Sequence, residues 1–158
     1  MNSSPSLNPS GHDRLWVAVQ SLLLLATIGL GVGFRGQWQS VGWFWFGVVL
    51  FSGGAWLGIW GVRSLGPSRT PTPSPTAQAE FVRHGSYRHI RHPLYASVML
   101  ASFGWGLLWQ SFPALGMAIG LSFFLDGKAR LEERLMARRF GEYEAYRQKT
   151  WRFIPGVY

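Results

Sequence analysis

LWVAVQSLLLLATIGLGVGF, residues Leu15–Phe34, runs for twenty residues without a charged side chain. At about 1.5 Å per residue, a helix of that length reaches roughly 30 Å, the thickness of a bilayer's hydrocarbon core. The stretch therefore predicts a membrane-crossing helix. A cleaved signal peptide is the competing reading, and three features disfavour it. The apolar run is long for a signal core, the leader carries little net positive charge, and no small-residue cleavage site stands before Arg35. Residues 1–14, rich in Ser, Asn and Pro and without periodicity, are expected to form a mobile N-terminal tail.

The whole composition agrees with this reading. Of 158 residues, 47% are hydrophobic and 16% aromatic but only 14% charged, against roughly a quarter charged in an ordinary soluble domain. One soluble core of this size cannot absorb nine Trp and eleven Phe together with several long apolar runs. The absence of Cys excludes disulfides, thiolate zinc sites and a Cys nucleophile. The net charge of +8 is segregated: of fifteen Lys and Arg, five lie between Arg63 and Arg91 and eight between Lys128 and Arg152. Apolar blocks separated by basic ones are the pattern of a multi-pass membrane protein with its basic loops in the cytoplasm, so membrane lipids and not nucleic acid are the expected partners.

From Leu15 outward, the short link Arg35–Ser40 leads to a second apolar run, Val41–Val62, with Trp43 and Trp45 near one end and Trp56 and Trp60 near the other. Indoles at both ends suit a membrane helix, and Gly54 and Gly58, four apart, permit close helix approach. Pro67, Pro71, Pro73 and Pro75 then forbid a helix between Ser64 and Glu80, predicting an extended spacer or lid. Leu94–Phe112 is apolar again. After Pro113 a shorter run ends at Leu125, which can cross if Lys128 snorkels or can fold as a hairpin on its predecessor. Asp126–Tyr158 predicts an amphipathic cytoplasmic helix with Leu131, Leu135, Met136, Phe140 and Tyr143 on one face, ending before TWRFIPGVY, whose aromatics pack back on the body. The expected fold is all-α: about four transmembrane helices plus a cytoplasmic C-terminal amphipathic helix, with both termini cytoplasmic. It divides into a tail (1–14), a transmembrane hairpin (15–62) and a region bearing the chemistry (63–158).

FVRHGSYRHIRHPLYAS, residues 81–97, gathers Arg83, His84, Tyr87, Arg88, His89, Arg91, His92 and Tyr95 at the mouth of the third run. Juxtamembrane Arg and His bind anionic lipid head groups, and that alone is one explanation. The other is a pocket for an anion or cofactor: Pro93 marks a helix start, whose free N–H groups and flanking Arg and His can face a carboxylate or phosphate. Zinc is disfavoured, because Arg91 separates His89 from His92 and no third soft ligand stands nearby. Further on, RLEERLMARRFG carries Glu132 and Glu133 among Arg134, Arg138 and Arg139, a pattern that by itself reads as a solvated, ion-paired face. Brought against the Arg/His cluster, the same carboxylates would offer both signs of charge to a zwitterionic or sulfonium ligand.

The elements Leu65-Gly66 with Thr70, Pro71, Pro73 and Pro75, then Gly85-x-Tyr87 and Arg91-His92-Pro93-x-Tyr95, then Glu132-Glu133-x-Leu135 with Phe140-Gly141 and Tyr146, then Arg152-Phe153-Ile154-Pro155, occur in an order that resembles the isoprenylcysteine carboxyl methyltransferase family and its bacterial relatives. The resemblance covers residues 60–156. It implies a small, all-helical integral membrane enzyme that takes S-adenosylmethionine from the cytosol and methylates a lipophilic acceptor arriving from the bilayer. It implies that Tyr87, Arg91, His92, Pro93 and Tyr95 line the cofactor pocket, completed by Glu132 and Glu133, with Arg91, Glu132 and Glu133 as catalytic candidates and no metal. The stretch FGEYEAY is one residue tighter than the family's spacing, which bears on Tyr143.

A sulfonium methyl is already activated, so such an enzyme mainly aligns acceptor oxygen, methyl carbon and sulfur, and excludes water. A carboxylate acceptor needs no general base, and an amine acceptor would need one, which a Glu can supply. Arg91 would orient a carboxylate of acceptor or cofactor, and Glu132 or Glu133 would answer the cofactor's ammonium or ribose. Phospholipid N-methylation is the alternative within methyltransferases. A nicotinamide-dependent membrane reductase is a weaker one, since Pro93 stands where such a pocket would carry Asn. A lipid-binding scaffold without catalysis is the non-enzymatic reading. The sequence names neither the acceptor nor the oligomeric state.

Overall fold

A computed structural model describes residues 11–66 and 81–158. Among the described residues, its helices are α1 (Gly11–Gly33), α2 (Val41–Leu65), α3 (Pro93–Leu108), α4 (Phe112–Arg139) and α5 (Tyr143–Lys149), with a 3-10 turn at Gly85–Arg88. Among the described residues there is no strand, only an isolated parallel bridge between Ile90 and Trp151. The expected all-helical class is therefore found. Residues 67–80 of the Pro-rich link and residues 1–10 of the expected tail lie outside the described residues, whereas Ser64 and Leu65, expected to be non-helical, continue α2 up to its cap at Gly66, because the first Pro comes only at position 67. Residues 11–14 are not tail but the first turn of α1, since no Pro follows Gly11 to stop the helix.

α1 and α2 are both long and apolar enough to cross a membrane. They do not hide that surface inside the bundle: Leu22, Leu25, Val41, Val49 and Trp56 are among the large apolar side chains left exposed. α3 is apolar throughout but has 16 residues, about 24 Å of helix. It starts at Pro93 as expected, with Pro at the first helical position, where its missing N–H costs nothing. It stops at Leu108 and not at Phe112, because Gln110 takes a left-handed backbone (φ 52°) and Ser111 caps the next helix through a bond accepted from the Ala114 N–H.

The largest departure from expectation is α4. The run ending at Leu125 and the supposed separate surface helix are one helix of 28 residues, about 42 Å long. No Pro interrupts it after Pro113, so hydrogen bonding propagates from apolar into charged sequence. Its buried positions, Ala114, Ala118, Leu121, Leu125, Lys128, Ala129 and Glu133, form one stripe at helical spacing. The charged residues thus continue the core face that the leucines begin. The amphipathic helix does not reach Tyr143 either: Phe140 is extended (φ −119°, ψ 109°) and α5 starts afresh. Leu131, Leu135 and Met136 remain on α4, while Phe140 and Tyr143 stack around Phe81 at ring separations of 5.3 and 5.6 Å.

α3 packs on α2 backbone to backbone. A Cβ at Gly54 would lie 2.7 Å from the Ala101 nitrogen, and one at Gly104 would lie 2.5 Å from the Phe51 nitrogen, so neither position has room for a side chain. Gly58 meets only the Ser97 side chain. α1 packs on α4 and completes the bundle. The C-terminal segment folds back as expected: Phe153 is buried with Leu57, Ile90, Ala96 and Ala129.

Candidate functional site

Two local devices bring the 81–92 segment under the bundle. The Ser64 hydroxyl, in the last turn of α2, donates to Trp60 O at 2.8 Å and accepts from the Ser86 N–H at 3.1 Å. Gly85 makes this approach possible, having a left-handed φ of 60° and no Cβ to strike Ser64. On the other side the Arg91 and His92 N–H groups donate to Trp151 O and Arg152 O at 2.8 and 3.1 Å, and the Trp151 N–H donates to His89 O at 3.1 Å. The RHP and RFIP segments are thereby zipped side by side, and side chains of α4 reach both.

Glu133 is the hub. Only 4% of its side chain is exposed, and its carboxylate accepts from Arg91 Nε at 2.8 Å, from Arg152 Nε at 3.1 Å and from Arg152 Nη2 at 3.0 Å. His92 Nε2 lies 3.3 Å from the same carboxylate. Burial alone would raise the Glu133 pKa, but hydrogen bonds from His92, Arg152 and Arg91 override it and hold the group well below the usual carboxylate range. The solvated face expected for Glu133 is thus corrected: its partners come from distant segments, and neighbouring Arg134, Arg138 and Arg139 lie exposed. Arg91 also fastens α5, Nη1 donating to the carbonyls of Arg147 (3.0 Å) and Thr150. Among the described residues, no hydrogen bond uses Arg91 Nη2.

Glu132 is the more open carboxylate, 19% exposed. The Tyr95 hydroxyl donates to its Oε1, and His92 Nδ1 faces its Oε2 at 3.5 Å. The His92 and Tyr95 rings lie parallel, 5.4 Å apart. Burial disfavours the His92 imidazolium, but the hydrogen bonds and charges of Glu132 and Glu133 outweigh it, so its pKa lies above the usual histidine value. Tyr87 is raised well beyond the ordinary tyrosine value, first by burial and then by the charge of Glu132, and its backbone carbonyl accepts from the Tyr146 hydroxyl at 2.6 Å.

The structure therefore brings together Tyr87, Arg91, His92, Tyr95, Glu132 and Glu133, with Pro93 buried as the start of α3. It separates the rest of the basic cluster: Arg83, His84, Arg88 and His89 are exposed, and Arg83 pairs with Glu142. Two participants carried no assignment from sequence. Arg152, in the RFIP element, bridges Glu133 to Asp126 (Nη1 to Oδ1, 3.0 Å), and Lys128 is 1% exposed beneath Tyr95. The signal for Lys128 was its place one turn before Glu132. The signal for Arg152 was its place at the head of the RFIP element, to which the resemblance attached no role.

The profile of the phospholipid methyltransferase family matches residues 43–143, from the start of α2 to the start of α5. Two relatives carry names from metal resistance. A nickel-cobalt-cadmium resistance protein of Alcaligenes xylosoxydans is 28% identical over 145 residues, covering 89% of this chain and 63% of its own length. A cobalt-zinc-cadmium resistance protein of Cupriavidus metallidurans is 26% identical over 165 residues, covering 95% of this chain and 73% of its own. The chain thus spans somewhat less than two thirds of the first relative. Arg91, His92, Tyr95, Glu132 and Glu133 all fall inside the family match, which takes in nearly two thirds of the sequence, and the chain belongs to the phospholipid methyltransferase family.

Proposed function

We propose that the protein is a multi-pass membrane methyltransferase that uses S-adenosylmethionine and O-methylates the carboxylate of an isoprenylcysteine-like or other lipophilic acceptor. The observation that carries this reading is the pairing of a closed carboxylate with an open one. Glu133 is saturated by Arg91, Arg152 and His92, whereas Glu132, held by Tyr95 and facing His92, keeps access to solvent. A zwitterionic methyl donor presents a carboxylate, an ammonium and ribose hydroxyls, and these residues offer both signs of charge within one cluster. The donor set therefore fits. Arg91 Nη2 is suited to the donor's carboxylate, and Glu132 to its ammonium or ribose, while His92, with both ring nitrogens on Glu132 and Glu133, ties the two carboxylates together. Glu133 fixes the cations and touches no ligand.

When bound, S-adenosylmethionine supplies an activated methyl group. The chain's residues then orient and desolvate. Tyr95 and His92 hold Glu132 in one rotamer, and Tyr87, whose pKa is raised by burial and by the charge of Glu132, stays protonated and neutral beside it. A carboxylate acceptor needs no proton removed, which suits a cluster whose buried carboxylate is already spent on cations. α1 and α2 span the bilayer in this reading, α3 and the apolar half of α4 complete four crossings, and Arg63, Arg91 and Arg152 face the cytoplasm with the site. The acceptor arrives from the lipid. The family's name favours phospholipid N-methylation as the second reading, in which Glu132 is the group placed to take the amine's proton. By likeness to the two relatives, we extend a part in metal tolerance to this chain. The chemistry on offer for it is methyl transfer, since both His92 nitrogens already face carboxylates.

The test uses membranes containing the protein, methyl-labelled S-adenosylmethionine and farnesylcysteine as acceptor. Label that enters the organic phase and is released by alkali as methanol supports a carboxyl methyl ester. Alkali-stable label in phospholipid transfers the reading to N-methylation. Failure of the membranes to retain the labelled donor overturns both.

A further inference from the structure

Lys128 is a buried charge that takes no part in the proposed contacts with the methyl donor. Lysine is almost never fully buried unless it is partnered, and this one is 1% exposed and sits on the same stripe of α4 as Leu121 and Leu125. It does not snorkel outward. Its Nζ donates to Gln20 Oε1 on α1 at 2.8 Å and stands 5.2 Å from the centroid of the Tyr95 ring. The hydroxyl of that ring donates to Glu132, one helical turn beyond Lys128.

A desolvated cation on an aromatic face holds the ring by its quadrupole. Tyr95 is therefore gripped in three ways: Lys128 on one part of the ring, His92 stacked parallel to it at 5.4 Å, and Glu132 at the hydroxyl. Gln20 belongs to a helix that lies wholly before the family match at residues 43–143. α1 is thus connected to the Glu132 carboxylate through only two side chains, Lys128 and Tyr95.

We propose that Lys128 is a positioning residue for the methyl donor: anchored to Gln20 of α1, it sets the tilt of the Tyr95 ring, and so the direction in which Glu132 points. The inference rests on the reading of Glu132 as a donor-binding carboxylate. It makes α1 a part of the site as well as a membrane anchor.

The experiment is calorimetric titration of the full-length protein in nanodiscs with S-adenosylmethionine, applied to wild type, Lys128→Met, Gln20→Leu, Tyr95→Phe and the Lys128→Met/Tyr95→Phe double variant. Met keeps the apolar stem and removes the cation. Lys128→Met is expected to weaken donor binding by about tenfold, the order of a desolvated cation–π contact, and Gln20→Leu by about threefold. In the Tyr95→Phe background, removing Lys128 is expected to add less than about twofold, because its action passes through the tyrosine hydroxyl. A Lys128→Met protein with a lowered melting temperature and unchanged donor affinity overturns the proposal. So do losses that multiply fully in the double variant. If Lys128→Met does not fold, Lys128→Arg decides with Gln20→Leu: unchanged affinity in both is a refutation. Wild type that fails to bind the donor overturns this inference and the methyl-transfer reading together, whereas wild type and variants binding equally well overturn this inference only.

Discussion

The two ends of the helical bundle are closed by different chemistry. At one end, residues 36–40 meet residues 109–112 through uncharged groups. The Gly36 and Gln37 N–H groups donate to Trp109 O and Gln110 O at 2.9 and 3.0 Å, the Ser40 N–H to Gln110 Oε1 at 3.2 Å, and the Phe112 N–H to Gln37 Oε1 at 2.7 Å. At the other end, residues 91–92, 126–133 and 150–158 meet through Arg91, Arg152, His92, Asp126, Glu132 and Glu133. Neutral bonds suffice to fix which helix follows which. A buried ion network adds little stability over apolar packing, because desolvating its charges offsets most of their attraction. What such a network does provide is charge held in a fixed direction. The uncharged end joins the helices by neutral bonds, and the charged end is where the proposed ligand site lies.

The most severe way to break that contrast is Glu133→Gln. The substitution leaves the shape of the side chain but strands Arg91 and Arg152, which are 10% and 16% exposed, without their shared carboxylate. Removing one partner from a buried charge group costs about 3–5 kcal/mol. We expect thermal unfolding in nanodiscs to shift by that order and retention of labelled methyl donor to vanish. A shift under about 1 kcal/mol would mean that water reaches the pair and that the network is an ordinary surface one.

A smaller effect comes from pH, and it sharpens the comparison because only one end titrates. The His92 pKa is raised in the folded protein, so its contribution is fully present below the unfolded value of about 6.5 and is lost as pH rises through the folded value. The Glu133 pKa is depressed, so its contribution is present above about 4.5 and is lost as pH falls through the folded value. Stability should therefore be highest between these limits and decline toward alkaline pH. His92→Gln is expected to flatten the alkaline decline measured by melting temperature from pH 6 to 9, while variants of Gln110 leave it in place.

Much of this was legible in the chain itself, for reasons that differ by region. Leu15–Phe34 and Val41–Val62 announce themselves because hydropathy is a local sum, and Pro93 fixes a helix start by its own ring. The RHPxY and Glu132-Glu133 elements could be expected side by side because their order carried a resemblance, and the fold brings them together. The course of α4 was not. Periodicity is the same for a continuous helix and for two helices whose faces happen to align, and only the absence of a break after Leu125 distinguishes them. Arg152 and Glu133 lie 19 residues apart and Arg91 and Glu133 lie 42 apart, so no local pattern records which arginine a glutamate will choose. Lys128 was misjudged for a related reason: a lysine just past an apolar run normally snorkels, and its inward turn depends on Gln20, which is 108 residues away.

The mildest perturbation belongs to the uncharged end and separates its two components. Gln110 has a left-handed φ of 52°, unusual for a residue with a Cβ, and its amide bonds to Ser40 at both the N–H and the carbonyl. Gln110→Ala removes those bonds and keeps the backbone strain, at a cost of about 1–2 kcal/mol. Gln110→Gly removes the same bonds and relieves the strain, although a glycine adds entropy to the unfolded chain. The glycine variant should therefore unfold about 1 kcal/mol less readily than the alanine variant. Both should retain methyl donor like wild type, because the turn touches neither Glu132 nor Glu133. Loss of donor binding in either variant would show that the two ends are coupled through α3 and α4, and the division of labour between a neutral end and a ligand-facing end would then fail.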